Sequence, residues 1–246
     1  MFVYQIKVEY LGTDFVGWQI QKNGLSVQEV LQKALSKYFK KKIFIIGSGR
    51  TDAGVHATEQ SAHFKIKKAI LDKNTTMNSL NFFLKKYPIS ILNIEEKAKN
   101  FHARHSAKKR TYKYFIINRP GSLVIEKNKA WHVKKKLDLK VMAKGAKILK
   151  GTKDFSTYRS SSCSAKNPKR TLKEAKIKKN KNTIEITFIS RSFLQQQVRS
   201  MVGCLKYLGE KKWSLEKFKQ VMLSKNREFC APPAPAHGLY LSKVNY

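Results

Sequence analysis

Phe2, Tyr4, Ile6, Val8 and Tyr10 alternate with polar residues, which is the period of a half-buried strand and predicts that the chain opens with one. Val27, Val30, Leu31, Ala34, Leu35 and Tyr38 then recur at helical spacing. Ser26 and Glu29 make a capping box at the start of that helix. Ile43-Phe44-Ile45-Ile46 is a short apolar run, and Ala62, Phe64 and Ile66 alternate. Met77, Leu80, Phe83 and Leu84 are spaced as on a helix, and Ile89 and Ile91 alternate again. The predicted order is β-α-β-β-α-β, the ferredoxin-like split unit.

The second half starts in the same way, with Tyr112, Tyr114 and Ile116 alternating and Leu137, Val141, Ile148 and Leu149 marking a helix. Ile184, Ile186 and Phe188 predict a strand over 183–189. A mostly apolar helix is predicted over 193–208, another around Leu215, Phe218, Val221 and Met222, and a closing strand over 239–244. The fold class is α+β: two ferredoxin-like units, 1–105 and 106–246, joined through a continuous, mainly antiparallel sheet without a Pro- or Gly-rich linker. Residues 156–171, rich in Ser, Lys, Asn and Arg, are expected to form a mobile basic loop.

Charge narrows the partners. Among 246 residues, 51 Lys plus Arg stand against 16 Asp plus Glu, a net charge of +35. Such a surplus makes a polyanion the default partner, because Lys and Arg release counterions from a phosphate backbone. With 41% hydrophobic and 11% aromatic residues the chain can bury a core, which excludes a disordered polycation. No run of about 18 apolar residues spans a bilayer, and the alternating N-terminus does not read as a signal peptide. Cys163, Cys204 and Cys230 are odd in number and lack metal-site spacing, so neither a disulfide framework nor a structural zinc is expected, and the expected compartment is a reducing cytoplasm. His56, His102 and His105 could suggest a metal cluster, and His102 and His105 have a permissible ligand spacing, but no Cys or carboxylate accompanies them, so they read as satisfied turn or RNA-contact histidines.

The densest chemistry is Gly47-Ser48-Gly49-Arg50-Thr51-Asp52-Ala53-Gly54-Val55-His56-Ala57, directly after a predicted strand. No Gly-Lys-Ser/Thr follows, which excludes a P-loop, and no periodic helix opens there, which disfavours a dinucleotide loop. One reading is a glycine turn in which Asp52 only bonds the backbone. The other is a site: the chain has five Asp in all, and a carboxylate between Arg50 and His56 in so basic a protein should stay ionised. An ionised carboxylate at a strand end can act as nucleophile or base on a sugar. No second acid is paired with it, as glycoside hydrolysis would require.

The stretch Gly49-Arg50-Thr51-Asp52-Ala53-Gly54-Val55-His56 resembles the signature of the TruA family of tRNA pseudouridine synthases. Tyr10-Leu11-Gly12-Thr13-Asp14-Phe15-Val16-Gly17-Trp18-Gln19, Phe101-His102-Ala103-Arg104, Arg110-Thr111-Tyr112-Lys113-Tyr114, Val198-Arg199, Met201-Val202-Gly203 and Pro235-Ala236-His237-Gly238-Leu239-Tyr240-Leu241 are similar to further family blocks, in family order over nearly the whole length. The resemblance implies the pseudouridine synthase fold and isomerisation of uridines 38, 39 and 40 of the tRNA anticodon stem-loop. It also implies a homodimer, with tRNA as partner, and neither cofactor, metal nor membrane is expected.

Residue by residue, the resemblance makes Asp52 the catalytic aspartate and Arg199 its pairing partner. It makes Tyr112 the residue that stacks on the target base, Arg50 the one that helps flip or replace the nucleotide, and Leu239 an apolar contact near the base. Four of these also have a plain reading: Tyr112 a core tyrosine, Arg50 a phosphate contact only, Leu239 a core leucine, and Arg199 a helix arginine facing solvent. Arg199 lies among Leu194, Val198, Met201, Val202 and Leu205, which predicts a buried anion as its partner. Departures from the family pattern are Gln195-Gln196-Gln197 before that arginine and Ala231-Pro232-Pro233 before the last block. The rival readings are a non-catalytic basic RNA-binding protein and a pseudouridine synthase acting on another RNA.

Overall fold

The computed structural model covers residues 1–246. In chain order the elements are β1 (Phe2–Tyr10), α1 (Val27–Tyr38), β2 (Ile45–Gly47), β3 (His56–Ile66), α2 (Lys73–Leu84) and β4 (Ile89–Lys97). There follow β5 (Lys109–Asn118), β6 (Trp131–Val133), α3 (Leu139–Leu149), β7 (Gly151–Asp154), β8 (Lys169–Asn180), β9 (Thr183–Ser190), α4 (Gln197–Gly209), α5 (Leu215–Leu223) and β10 (Leu239–Asn245). The α+β chain divides into two compact units, one of Met1–Lys108 with Tyr240–Tyr246, the other Lys109–Leu239.

In the first unit β1 runs antiparallel to both β3 and β4, and β2 pairs antiparallel with β3. This is the split βαββαβ arrangement that the hydrophobic pattern predicts. Tyr4, Ile6 and Val8 of the central strand are fully buried, and Val3 and Gln5 on its other face are buried too. Gln5 is tolerated there because its Nε2 donates to Ser61 Oγ at 2.7 Å. Helix α1 buries Val27, Val30, Leu31, Ala34 and Leu35, and Ser26 Oγ accepts the Glu29 amide at 3.2 Å, as the capping box predicts. Helix α2 begins a turn before its first apolar residue because Asp72 Oδ1 accepts the amides of Asn74 and Thr75 at 2.9 and 3.0 Å.

Residues 240–246, which the sequence pattern assigns to the second unit, pack in the first. β10 lies parallel to β3, with Tyr240 opposite His56 and Leu241 opposite Ala57. The Tyr246 hydroxyl reaches Ser61 Oγ at 2.7 Å and the Ala103 carbonyl at 3.0 Å. A parallel partner comes from a distant part of the chain, so periodicity cannot say which strand it joins.

In the second unit β5, β9, β8 and β7 pair antiparallel in succession, and β6 adds to β5 in parallel. Strands β6, β7 and β8 are absent from the hydrophobic reading. β8 is 12 residues long, but its ladder with β9 shifts register between Leu172 and Glu174, so its buried residues Leu172 and Ala175 are three apart and break the period of two. The expected basic loop is correspondingly shorter. Phe155, Thr157 and Tyr158 are fully buried around a 3₁₀ turn, Thr157 Oγ1 donates to the Val221 carbonyl at 3.0 Å, and residues 169–171 already belong to β8. Helix α4 starts at Gln197, four residues after its predicted start, because Gln196 is left-handed at φ 60° and the Gln197 side chain accepts the Leu194 amide at 2.8 Å.

Candidate active site

In the first unit, residues 47–56 leave β2 and are tied down at nearly every step before β3 begins. The Ser48 amide donates to the Ser61 carbonyl at 2.7 Å, and Ser48 Oγ donates to Gln60 Oε1 at 2.7 Å. Gln60, fully buried, returns its Nε2 to the Gly49 carbonyl at 3.0 Å. The Thr51 hydroxyl meets the Tyr10 hydroxyl at 2.9 Å, and the Thr51 carbonyl accepts the Trp18 amide at 3.1 Å. The Asp52 carbonyl accepts the Val55 amide at 3.1 Å, closing a turn through Gly54, whose φ of 75° suits glycine. His56, fully buried, accepts the Gly12 amide on Nδ1 at 2.8 Å and packs its ring 4.7 Å from that of Tyr240. The loop thus presents Asp52 half-buried and Arg50 exposed, on a backbone braced by residues 10–18. Burial pushes the Tyr10 hydroxyl up to about 12, although its bonds to Thr51 and Gln60 pull the other way, so it stays protonated at neutral pH.

The bracing depends on close backbone approach. A Cβ on Gly12 would sit 2.0 Å from the Val55 carbonyl oxygen, and one on Gly17, at φ 112°, 2.6 Å from the Thr51 carbonyl oxygen. These glycines, with Trp18 and Gln60, have no assigned role in the sequence, and Tyr10 stands there only as a strand residue, whereas His56 is the satisfied histidine that the sequence predicts. Their signal is the spacing Tyr10-x-Gly12 and Gly17-Trp18, which carries meaning only once the partner loop is known.

In the second unit Tyr112 lies on β5 opposite Phe188 and is 8% exposed, its ring edge-on to Phe193 with centroids 5.1 Å apart. Tyr114, two residues on and so on the same face, is fully buried and donates its hydroxyl to the Pro235 carbonyl at 2.8 Å. Arg199 is half-buried on α4. Its Nε donates to the Ala234 carbonyl at 2.8 Å and its own carbonyl accepts the Ala234 amide at 3.0 Å. The apolar face thus does not leave the guanidinium to an anion alone: a backbone carbonyl takes one of its donors. Its positive charge adds to burial in holding the His237 imidazole below its ordinary value. Leu239 is buried at the start of β10. Arg50 and Asp52 therefore share one loop of the first unit, whereas Tyr112, Arg199 and Leu239 belong to the second.

The remaining histidines are engaged locally. His102 Nδ1 accepts the amides of Arg104 and His105 at 3.2 and 3.3 Å, and His63 Nδ1 accepts the Ala103 amide at 3.2 Å. Burial, with the neighbouring His102 and Lys65, lowers His63 to about 4, so it is neutral at physiological pH. No group of three or more His, Cys, Asp or Glu residues is placed to hold a metal ion.

The single aspartate held in a glycine-rich turn after a short strand lies in a sequence that matches a family of RNA-modifying enzymes. The chain belongs to the tRNA pseudouridine synthase family, whose pattern matches residues 6–106 and 146–246. Arg50, Asp52, Arg199 and Leu239 fall inside the matched residues and Tyr112 between them. The chain is 58% identical over 246 residues to tRNA pseudouridine synthase A of Pelagibacter ubique (strain HTCC1062), covering all of both chains. It is 42% identical over 243 residues to tRNA pseudouridine synthase A of Parvibaculum lavamentivorans (strain DS-1), covering 99% of this chain and 98% of that one.

Proposed function

We propose that this protein isomerises uridine to pseudouridine in the anticodon stem-loop of tRNA, at positions 38, 39 and 40, as a homodimer in the cytoplasm. The observation that carries the reading is Asp52, a carboxylate on a loop tied to residues 10–18 and to Gln60, in a chain that is family-like over its full length. The chemistry is suited to one carboxylate. The C–N glycosidic bond breaks and a C–C bond forms between the same sugar and the same base, so the leaving uracil rotates in place and no water has to be activated. Asp52 acts at the ribose as nucleophile or base. Arg50, exposed beside it, suits the flipped nucleotide or its phosphate. Tyr112 offers the uracil an aromatic face, attraction without a fixed hydrogen-bond register, and Leu239 supplies an apolar contact. The homodimer, the compartment and the target positions rest on the family resemblance. Incubating the protein with unmodified tRNA and mapping pseudouridine by sequencing is the test. Product at 38–40 supports the reading, product only in another RNA redirects it, and binding without product makes the protein a non-catalytic binder.

Recognition led by phosphate contacts makes affinity fall steeply with salt. Neutralising 6–10 phosphates implies roughly a 10³–10⁵-fold loss between 50 and 200 mM salt. Tyr112→Phe is expected to keep most of the affinity, because stacking contributes about 1–3 kcal/mol per base and survives loss of the hydroxyl. Filter binding across a salt series checks both, and a flat salt response would refute phosphate-led recognition.

Pairing of Arg199 with Asp52 is part of the same proposal, supported by the resemblance. It predicts that Arg199→Met alone destabilises the protein more than Arg199→Met combined with Asp52→Asn, since the double variant leaves no charge without its partner. Denaturant midpoints for the two singles and the double measure the coupling, expected at about 0.5–3 kcal/mol. Strictly additive losses would remove the pairing from the mechanism.

A further inference from the structure

Two cysteines come together at a place the reaction does not use. Cys204, fully buried on α4, and Cys230, half-buried in the turn after α5, have their sulfurs 3.4 Å apart, and both are free thiols. They are 26 residues apart in sequence, which is why spacing alone shows no pair. The third thiol, Cys163, is half-buried and takes no part in this contact.

We propose that Cys204 and Cys230 are a modification site, a dithiol that hydroperoxides close to an internal disulfide, and that closure acts on the segment holding Arg199. The effect on Arg199 rests on the function proposed above; the disulfide does not. The two thiols are unequal. The contact with Cys204 and the nearby Arg227 guanidinium both pull the Cys230 thiol below its ordinary value and outweigh its burial. Arg227 is itself held by a bond from Nη1 to Ser200 Oγ at 2.7 Å. Cys204 is pushed up by the same sulfur contact and by burial. The partly exposed Cys230 is therefore the thiolate that attacks, and Cys204 the thiol that resolves.

The chemistry balances with a hydroperoxide as oxidant. The Cys230 thiolate attacks the terminal peroxide oxygen, the O–O bond breaks, and an alcohol, or water from hydrogen peroxide, leaves after taking a proton. Cys204 sulfur then attacks the sulfenic sulfur, the S–S bond forms, and hydroxide departs with the Cys204 proton as water. Two thiols lose two electrons and the peroxide gains them.

Closure brings the sulfurs from 3.4 Å to about 2.05 Å, a shortening shared between the two side chains and the chain at Cys230 where it meets α4. Cys230 leads directly into residues 231–235. That segment lies flush on α4: a Cβ at Gly203, next to Cys204, would be 2.1 Å from the Pro232 carbonyl oxygen. Buried Ala234, four residues after Cys230, exchanges two hydrogen bonds with Arg199. Movement at Cys230 is transmitted to the Arg199 side chain through this short run, which contains two consecutive prolines.

The test treats the full-length protein with near-stoichiometric hydrogen peroxide, alkylates it under denaturing conditions, and maps the digested peptides by mass. The expected product joins the Cys204 and Cys230 peptides with loss of two hydrogens, leaves Cys163 alkylated, and is reversed by dithiothreitol. Peroxide should lower turnover on tRNA about tenfold or more, as misplacement of a catalytic group by about 1 Å can cost ~10²-fold. Cys230→Ser should keep its turnover before and after peroxide. Linkage through Cys163, oxidation of Cys230 without a disulfide, or a 204–230 disulfide with unchanged turnover would each overturn the proposal. If the reduced protein makes no pseudouridine, the functional reading fails instead, and a peroxide-induced shift in thermal midpoint, absent from Cys230→Ser and from Cys204→Ala, still decides whether closure acts on the fold.

Discussion

Asp52→Asn is expected to make no detectable pseudouridine while binding tRNA within a few-fold of the parent. The substitution keeps the size and shape of the side chain and removes the charge and basicity that attack on the sugar or proton transfer requires. The loop keeps its backbone ties in this variant, through the Asp52 carbonyl to Val55 and through Thr51 to Tyr10 and Trp18. Affinity should persist because phosphate contacts from the many lysines dominate it. The loss should exceed the roughly 10²–10³-fold that removal of a single orienting hydrogen bond costs. A single-turnover assay on tRNA with excess enzyme checks this, and residual activity of a tenth would remove Asp52 from the chemistry.

Gly12→Ala is expected to damage both the fold of the first unit and its turnover. The added methyl would lie 2.0 Å from the Val55 carbonyl oxygen, a backbone atom with no flexible side chain to move away. Gly12 is also held by its amide bond to His56, so retreat on that side breaks a buried hydrogen bond. The cost should reach or pass the top of the ~1–3 kcal/mol range for overpacking, since backbone rather than a side chain must give. Displacing the Val55 carbonyl shifts the turn that closes back on Asp52, and about 1 Å there costs on the order of 10²-fold in turnover. Gly121→Ala is the contrasting variant: nothing lies within 4 Å of the added methyl, and its effect should stay within about 0.5 kcal/mol. Denaturation midpoints and turnover for the two variants decide it. A Gly12→Ala protein as stable and active as Gly121→Ala would mean that residues 10–18 do not brace the loop.

Much of the local structure is written in side-chain order alone. The alternation in β1, the helical spacing in α1 with its Ser26 cap, and the apolar run that leads into β2 each depend on residues close together in the chain, so periodicity and capping suffice to find them. Asp52 and Arg50 are visible in the same way, because a glycine-rich turn carrying the loop's one carboxylate needs no distant partner to stand out. What the sequence left undetermined is everything that depends on a partner far along the chain. β8 hides behind a bulge and a run of lysines, and its place is set by its ladder with β9. β10 reads as the last strand of the second unit, yet it pairs with β3, because parallel pairing is chosen by packing rather than by pattern. The 3.4 Å contact of Cys204 with Cys230 has no signature in spacing, and neither has the bond from Arg199 to Ala234. The sequence by itself therefore determined most of the elements, though not β6, β7 and β8, and the identity of the candidate reactive group. The tertiary structure decided which backbone holds that group, through the close approach of Gly12 and Gly17 to the loop, since only folding brings together atoms about forty residues apart.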